Sequence, residues 1–532
     1  SNLKSFGDLA LVNSEDNISN GTKPVLYYRM SSNAGNGLGG LTLVWDHIKN
    51  NDNKAGGFIE DWADQTFFMK TNKGKLYFGY GGNFSESNSD SFRCVNGLMT
   101  SNKTPKASLK IANNLFSPFT VSTIDLNKGL FEIKNDHLEN HGDVFNYFWT
   151  VVENGDKIKE GKFENLMIDA GQKKTVHVDY NSFTRNPGSE YTILITINKK
   201  SLNNGMYRFV IVGLQQFILP KSAGKPINQS AFQKLKSTEE NNSIHISNNL
   251  YSIKIDKNKG LISSWICKNK ELLVTPIKPN FYRAPTDNDI YLNQSNEINF
   301  WKTLGDQLTI VSQTLETNHP DYINYIVKAT LPASSLLPIE FRYRFYPSAD
   351  VVLEMKIDHL DQLKNMPPRI GWIFEMPAVF GTVQWYGRGP LESYQDRKLG
   401  LNIGLYKSTA SEFNIPAVRP QEMGNKSDVR WLSLKTFEGL YLMALGQSEF
   451  EANVLPFNYN KLGTGYRHGI DVINDPTNTV ILDYYQWPLG DGYSNKSHPP
   501  SSKSIHFTIR LTSQDESQSS IPSHFTESLL TN

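Results

Sequence analysis

The chain is 532 residues long and carries 54 Lys and Arg against 53 Asp and Glu, a formal charge of +1. This near-neutrality excludes a nucleic-acid or anionic-membrane surface, which needs a basic excess, and a composition of 38% hydrophobic and 12% aromatic residues excludes wholesale disorder. At about 100–200 residues per domain there is room for three or four domains, and no apolar run reaches the ~18–20 residues of a membrane span.

The start, SNLKSFGDLALVN, has no initiator Met and no charged-then-apolar signal pattern, so it reads as an internal or processed beginning. Lys23–Tyr28 (KPVLYY) is a buried-strand run, followed by the glycine-rich NAGNGLGG. Leu41, Val44, Trp45 and Ile48 then fall at i, i+3, i+4 and i+7, the stripe of an amphipathic helix. Gly56–Trp62 (GGFIEDW) supplies the next strand. Strand, helix, strand is the parallel-sheet unit, but one crossover makes no closed sheet. Its open edges and apolar faces need cover, from an N-terminal part of the same protein or from a partner subunit. An oligomer or larger assembly is the expected setting.

After about residue 112 the period changes to two. Tyr191, Ile193, Ile195 and Ile197 alternate with polar residues, and Glu153-Asn154-Gly155-Asp156 is a hairpin turn. The polar stretch Lys221–Asn242 reads as a linker. Beyond it, Ile339, Phe341, Tyr343 and Phe345 alternate with charged residues, PSAD turns the chain, and Val351, Leu353, Met355 and Ile357 return. Ile505, Phe507, Ile509 and Leu511 form a late strand, and the tail from SQDESQ onward is polar and loose, with Leu529 and Leu530 as its docking residues. Cys94 and Cys267 are too few for a disulfide scaffold or a zinc site, and pairing or staying free are both open. Nine Asn-x-Ser/Thr triplets are about what so Asn-rich a chain has by chance, which leaves localisation as a lean towards a secreted or processed protein.

Several long strings exceed what composition explains. GNGLGG with GGFIEDWADQ, then YGGNFSESNSDSFRCVNGL and KTPKASL, resemble the end of the catalytic barrel in the large β-galactosidases of glycoside hydrolase family 2. FYRAPTDNDI, WYGRGPLESYQDRKLG and RPQEMGNKSDVRWLSL resemble the last, large β-sandwich of that family. Singly each has an ordinary reading as turn chemistry or core; only the ordered set carries the resemblance. It implies a mainly β, multidomain protein: the end of a (β/α)8 barrel over 1–112, an immunoglobulin-like sandwich over 113–220, a linker over 221–242, a large β-sandwich over 243–514 and a tail over 515–532. Trp385, Tyr386 and Trp431 are expected in the core or its rim.

A retaining glycosidase needs one carboxylate to attack the anomeric carbon and a second carboxyl group, about 5 Å away, to protonate the leaving oxygen. The resemblance places the family's nucleophilic Glu at Arg29, and there is no Asp or Glu between Lys23 and Asp46. Guanidinium stays protonated and has no lone pair to donate. The acid/base Glu of the family belongs to an earlier strand. The family's sugar-binding His falls at Ser32, its subsite Trp at Glu60, and its C-terminal pocket Trp near Tyr493. Asn96 keeps its family identity, but its family partners for sodium lie partly upstream, so no metal or other cofactor is expected. Trp62, Asp64, Gln65, Gly81, Gly82, Gly97 and Pro105, also retained, fit backbone-holding roles. Arg29 and Glu60, at the mouths of adjacent strands, are expected to form an ion pair; the alternative is two separately solvated side chains.

Three functions follow as expectations: a catalytically inactive relative acting as a structural or assembly module with weak glycan binding; part of an active β-galactosidase completed by an upstream or partner chain; or a glycan-binding module.

Overall fold

A computed structural model describes residues 4–6, 9–13, 23–138, 144–180, 184–203, 206–221, 224–333, 336–415, 418–463, 466–490, 503–515 and 527–528. Nearly half of these residues lie in strands, arranged as a barrel fragment and successive β-sandwiches.

The first sheet holds β1 (Lys4–Phe6), β2 (Leu9–Asn13), β3 (Val25–Ser32) and β4 (Lys54–Glu60), in that order. β2, β3 and β4 run parallel, and β1 pairs antiparallel to β2. Two parallel strands were expected; LALVN adds a third, too short to announce itself by period. Helix α1 (Leu41–Lys49) crosses from β3 to β4 and buries Leu41, Val44 and Ile48 against Val25 and Tyr27. The other face of these strands is open: Tyr28 is 51% and Phe58 is 59% exposed. A hairpin of β5 (Phe67–Lys70) and β6 (Leu76–Gly79) and helix α2 (Ala107–Leu115) complete the segment.

The second unit is a sandwich of two sheets. β10 (Asp156–Lys162), β9 (Phe145–Glu153), β12 (Tyr191–Asn203) and β13 (Met206–Ile218) face β11 (Lys173–His177), β8 (Leu130–Asn135) and β7 (Phe119–Asp125). Ile193, Ile195 and Ile197 point inward with Phe131, Ile133 and Tyr147, as alternation dictates. Asn154 and Gly155 both take positive φ, the geometry a two-residue hairpin demands.

The third unit is built on a twelve-stranded sheet, counted among the described residues. The Leu336–Phe345 and Asp350–Ile357 hairpin, paired Phe345 to Val351 through Ile339 to Ile357, lies within it beside Ile505–Asp515. A five-stranded sheet from Lys236–Glu239 to Lys270–Glu271 packs on it around Trp265, Trp372, Phe341 and Tyr343. Trp385, Tyr386 and Trp431 are buried in the third unit, as expected. The stretch expected as a linker ends in an edge strand, Lys236–Glu239, which an all-polar sequence gave no period to reveal. Glu527–Ser528 in the tail pairs with Lys225–Pro226, while Leu529 and Leu530 lie outside the described residues. Both cysteines are free, Cys267 buried and Cys94 half-buried.

Two polar anchors, the first buried and the second half-buried, hold the sandwiches together. Glu190 accepts from Tyr386 Oη at 3.0 Å and from Arg430 Nε at 3.1 Å. Gln216 exchanges two hydrogen bonds of 2.8 Å with the backbone of Ile403.

Candidate functional site

Arg29 and Glu60 meet at the mouths of β3 and β4, with Nε to Oε2 at 2.9 Å. Arg29 lies within β3, three residues before the Ser32 that pairs with Glu60 and inside the register irregularity between Tyr27 and Ser31, so its long side chain spans the remaining distance to Glu60. Both side chains remain more than a third exposed, so the pair contributes at most ~1 kcal/mol. It occupies the place rather than holding the fold.

Ser32 is buried, and its hydroxyl accepts from the Ala34 N–H at 3.3 Å, so it is turned into its own loop. Asn96 is buried as well, donating from Nδ2 to the Arg93 carbonyl at 2.7 Å while Oδ1 has no partner. That lone amide oxygen does not make up a cation site, and among the described residues no three His, Cys, Asp or Glu side chains converge. Tyr493 lies outside the described residues.

Two residues not singled out from the sequence meet where the third unit abuts the barrel end. Tyr291 ends α3 (Asp287–Tyr291), delivered by the third unit; its ring stacks on Phe92 at 5.3 Å, and the Arg93 guanidinium lies 5.2 Å from its centroid. Burial and then Asp287 push the Tyr291 phenol well above its ordinary value, while Arg93 and Arg29 pull the other way. Arg93 stood inside a quoted motif and Tyr291 immediately after another. Nothing in the sequence shows that these distant segments converge.

The glycine-rich loop after β3 is clamped by the third unit. Arg397 donates to Asn36 Oδ1 at 2.6 Å, to the Gly37 carbonyl at 3.0 Å and to Glu392 at 2.8 Å. Asn36 donates in turn to the Glu422 carbonyl at 2.8 Å. At Gly39 a Cβ would overlap the Asp396 carboxylate, so only glycine permits this approach. Burial raises the Asp396 carboxyl above its usual range, opposed by the N–H groups of Gly490 and Leu489. Asp287 is raised in the same way, opposed by Arg419, whose Nε lies 2.5 Å away. Thr286 and Asp289 form the capping box that starts α3, and Asp289 also holds Arg283 at 2.6 Å. The long third-unit motifs are thus buried polar clamps on the barrel end.

Asp64 and Gly97 hold backbone as expected, with Gly97 N–H donating to Asp64 Oδ1 at 2.8 Å. A Cβ on Gly97 would run into the backbone of Ala63 and Asp64. Gly97→Ala will therefore cost about 1–3 kcal/mol in denaturant unfolding; an unchanged midpoint would remove Gly97 from this role. Trp62 engages backbone too, its carbonyl accepting from the Met99 N–H at 3.1 Å, while its indole is 63% exposed.

Three family profiles match the chain: residues 4–121 the glycosyl hydrolases family 2 TIM barrel domain, 131–220 β-galactosidase domain 4, and 247–511 the β-galactosidase small chain. A protein of Priestia megaterium named Beta-galactosidase is 28% identical over 484 residues, covering 90% of this chain and 46% of that protein. One of Pseudoalteromonas haloplanktis with the same name is 25% identical over 528 residues, covering 92% and 49%. The chain spans about half the length of the curated relatives it matches.

Proposed function

Because the chain belongs to glycoside hydrolase family 2 and corresponds to the C-terminal portion of its β-galactosidases, we propose that it is a catalytically inactive member that serves as a structural or assembly module. The observation that carries this reading is the Arg29–Glu60 ion pair at 2.9 Å. In retaining hydrolysis a carboxylate forms a bond to the anomeric carbon as the glycosidic C–O bond breaks and the leaving oxygen takes a proton from the second carboxyl group. Arg29 has no lone pair for the first role. Glu60 is held by Arg29, away from a free carboxylate's part.

The assembly role is supported by the open barrel face, where Tyr28 and Phe58 are exposed, and by relatives twice the length. An N-terminal part of the same protein or a partner subunit covers that face. A second reading, an active β-galactosidase completed by upstream carboxylates, is favoured by the name its relatives carry.

Nitrophenyl β-galactoside separates the two when offered to the natural full-length protein or its complex. Turnover at the uncatalysed rate is expected, with no covalent adduct from a fluorinated galactosyl fluoride that traps glycosyl-enzymes. Steady turnover with an adduct mapped by mass spectrometry to a carboxylate would establish the active reading instead.

A further inference from the structure

The strip that runs on from the β5–β6 hairpin, residues 76–83, is fastened to the third unit around one histidine. We infer that this joint is a proton-sensitive latch: the neutral ring of His468 holds the strip in place, and protonation of that ring loosens it. The inference is independent of whether the protein hydrolyses sugars.

His468 packs against the rings of Tyr77 and Tyr80, with centroids 4.5 and 5.2 Å away, and its Nε2 lies 3.1 Å from Asn83 Nδ2. The Asn83 amide is already oriented, because its Oδ1 accepts from the Tyr80 N–H at 2.9 Å. Nδ2 therefore donates, and Nε2 is the acceptor. The Asp471 N–H is spent on the His468 carbonyl at 2.9 Å, which leaves Nδ1 to carry the ring proton. An imidazolium carries a proton on both nitrogens and accepts nothing. Protonation of Nε2 thus sets N–H against N–H. Turning the Asn83 amide over would instead leave the Tyr80 N–H facing a donor, so the joint loses a hydrogen bond either way.

The charges around the ring do not cancel this effect. Burial holds the His468 ring below its ordinary value, with Arg467 acting in the same direction and Asp471 and the Phe78 backbone opposing. On the facing strip, Glu86 is engaged by the N–H groups of Gly82 and Phe84. Arg419 and Asp287, which act on the Tyr80 phenol, pair with each other. The docked state therefore disfavours a proton that an undocked ring takes up near pH ~6.5, and the latch weakens as pH falls below that value. Two further bonds do not titrate here: Tyr80 Oη donates to the Arg467 carbonyl at 2.6 Å, and Arg467 Nη2 donates to the Gly81 carbonyl at 2.9 Å. Loosening in acid is accordingly local and partial.

The test is hydrogen exchange read by mass spectrometry on the natural full-length protein at pH 7.5 and pH 5.5, with each rate divided by the intrinsic rate at that pH. Residues 76–83 will exchange about five-fold faster at the lower pH on this scale, the equivalent of the ~1 kcal/mol of one hydrogen bond, while the Tyr191–Asn203 strand stays unchanged. His468→Gln, neutral at both values, will abolish the difference, whether or not it also loosens the strip at both. Asn83→Asp will invert it, because a carboxylate still accepts from the Tyr80 N–H and pairs with an imidazolium, so the strip becomes better protected in acid. Equal protection of the parent at the two pH values, a rise shared by Tyr191–Asn203, a rise that survives His468→Gln, or an Asn83→Asp protein that loosens in acid as the parent does would each overturn the proposal.

Discussion

Arg369→Ala will destabilise the large sandwich by about 3–5 kcal/mol or prevent its folding, because the change leaves buried carboxylates without their counter-charge. Arg369 is wholly buried, with Nη2 3.0 Å from Glu422 and Nε 3.0 Å from Asp483, both also wholly buried. Glu422 further accepts from Tyr459 Oη, and its backbone carbonyl holds Asn36 of the glycine-rich loop. Burial drives the Asp483 carboxyl well above its ordinary range, opposed first by Arg369. Denaturant midpoints measure the loss. A triple variant, Arg369→Met with Glu422→Gln and Asp483→Asn, will recover much of it, since neutral partners leave no uncompensated charge. An Arg369→Ala protein with the parent's midpoint would remove this cluster from the account of stability.

Glu451→Gln will change how stability depends on pH. Glu451 is wholly buried in the Leu440–Leu455 strand, where it accepts from Asn425 and Gln395. Burial above all, then the charge of Asp428, raises its carboxyl from 4.5 to about 7, with Asn425, Lys398 and Gln395 opposing. The folded state therefore holds a proton that the unfolded chain releases, and stability falls as pH rises from about 4.5 through about 7. The difference between 4.5 and about 7 corresponds to ~3 kcal/mol. Urea midpoints below pH ~4.5 and above pH ~7 will show the parent losing that much relative to Glu451→Gln. Parallel profiles for the two proteins would show that Glu451 does not titrate in this interval.

The fold was largely legible because its signals are local. Leu41, Val44 and Ile48 mark α1 through the helical period, and Ile339–Phe345 with Val351–Ile357 mark a hairpin through the period of two. Where local signal was weak, the reading fell short. LALVN gave too few alternations to declare β2, and Lys236–Glu239, an edge strand of polar residues, read as linker.

The site divides along the same line. By itself the sequence determined what Arg29 cannot do, because a guanidinium lacks a lone pair in any fold. It also put Arg29 and Glu60 on neighbouring parallel strands, and their side chains meet at 2.9 Å although Glu60 pairs in the ladder with Ser32. Only the tertiary structure decided that Arg93 lies over Tyr291 and that Arg397 clamps the glycine-rich loop after β3. Those contacts join segments far apart in the chain, across two independently built sheets. Period and spacing report on neighbours along the chain, whereas such contacts depend on how whole sheets dock, which burial and charge pairing over the entire interface settle together.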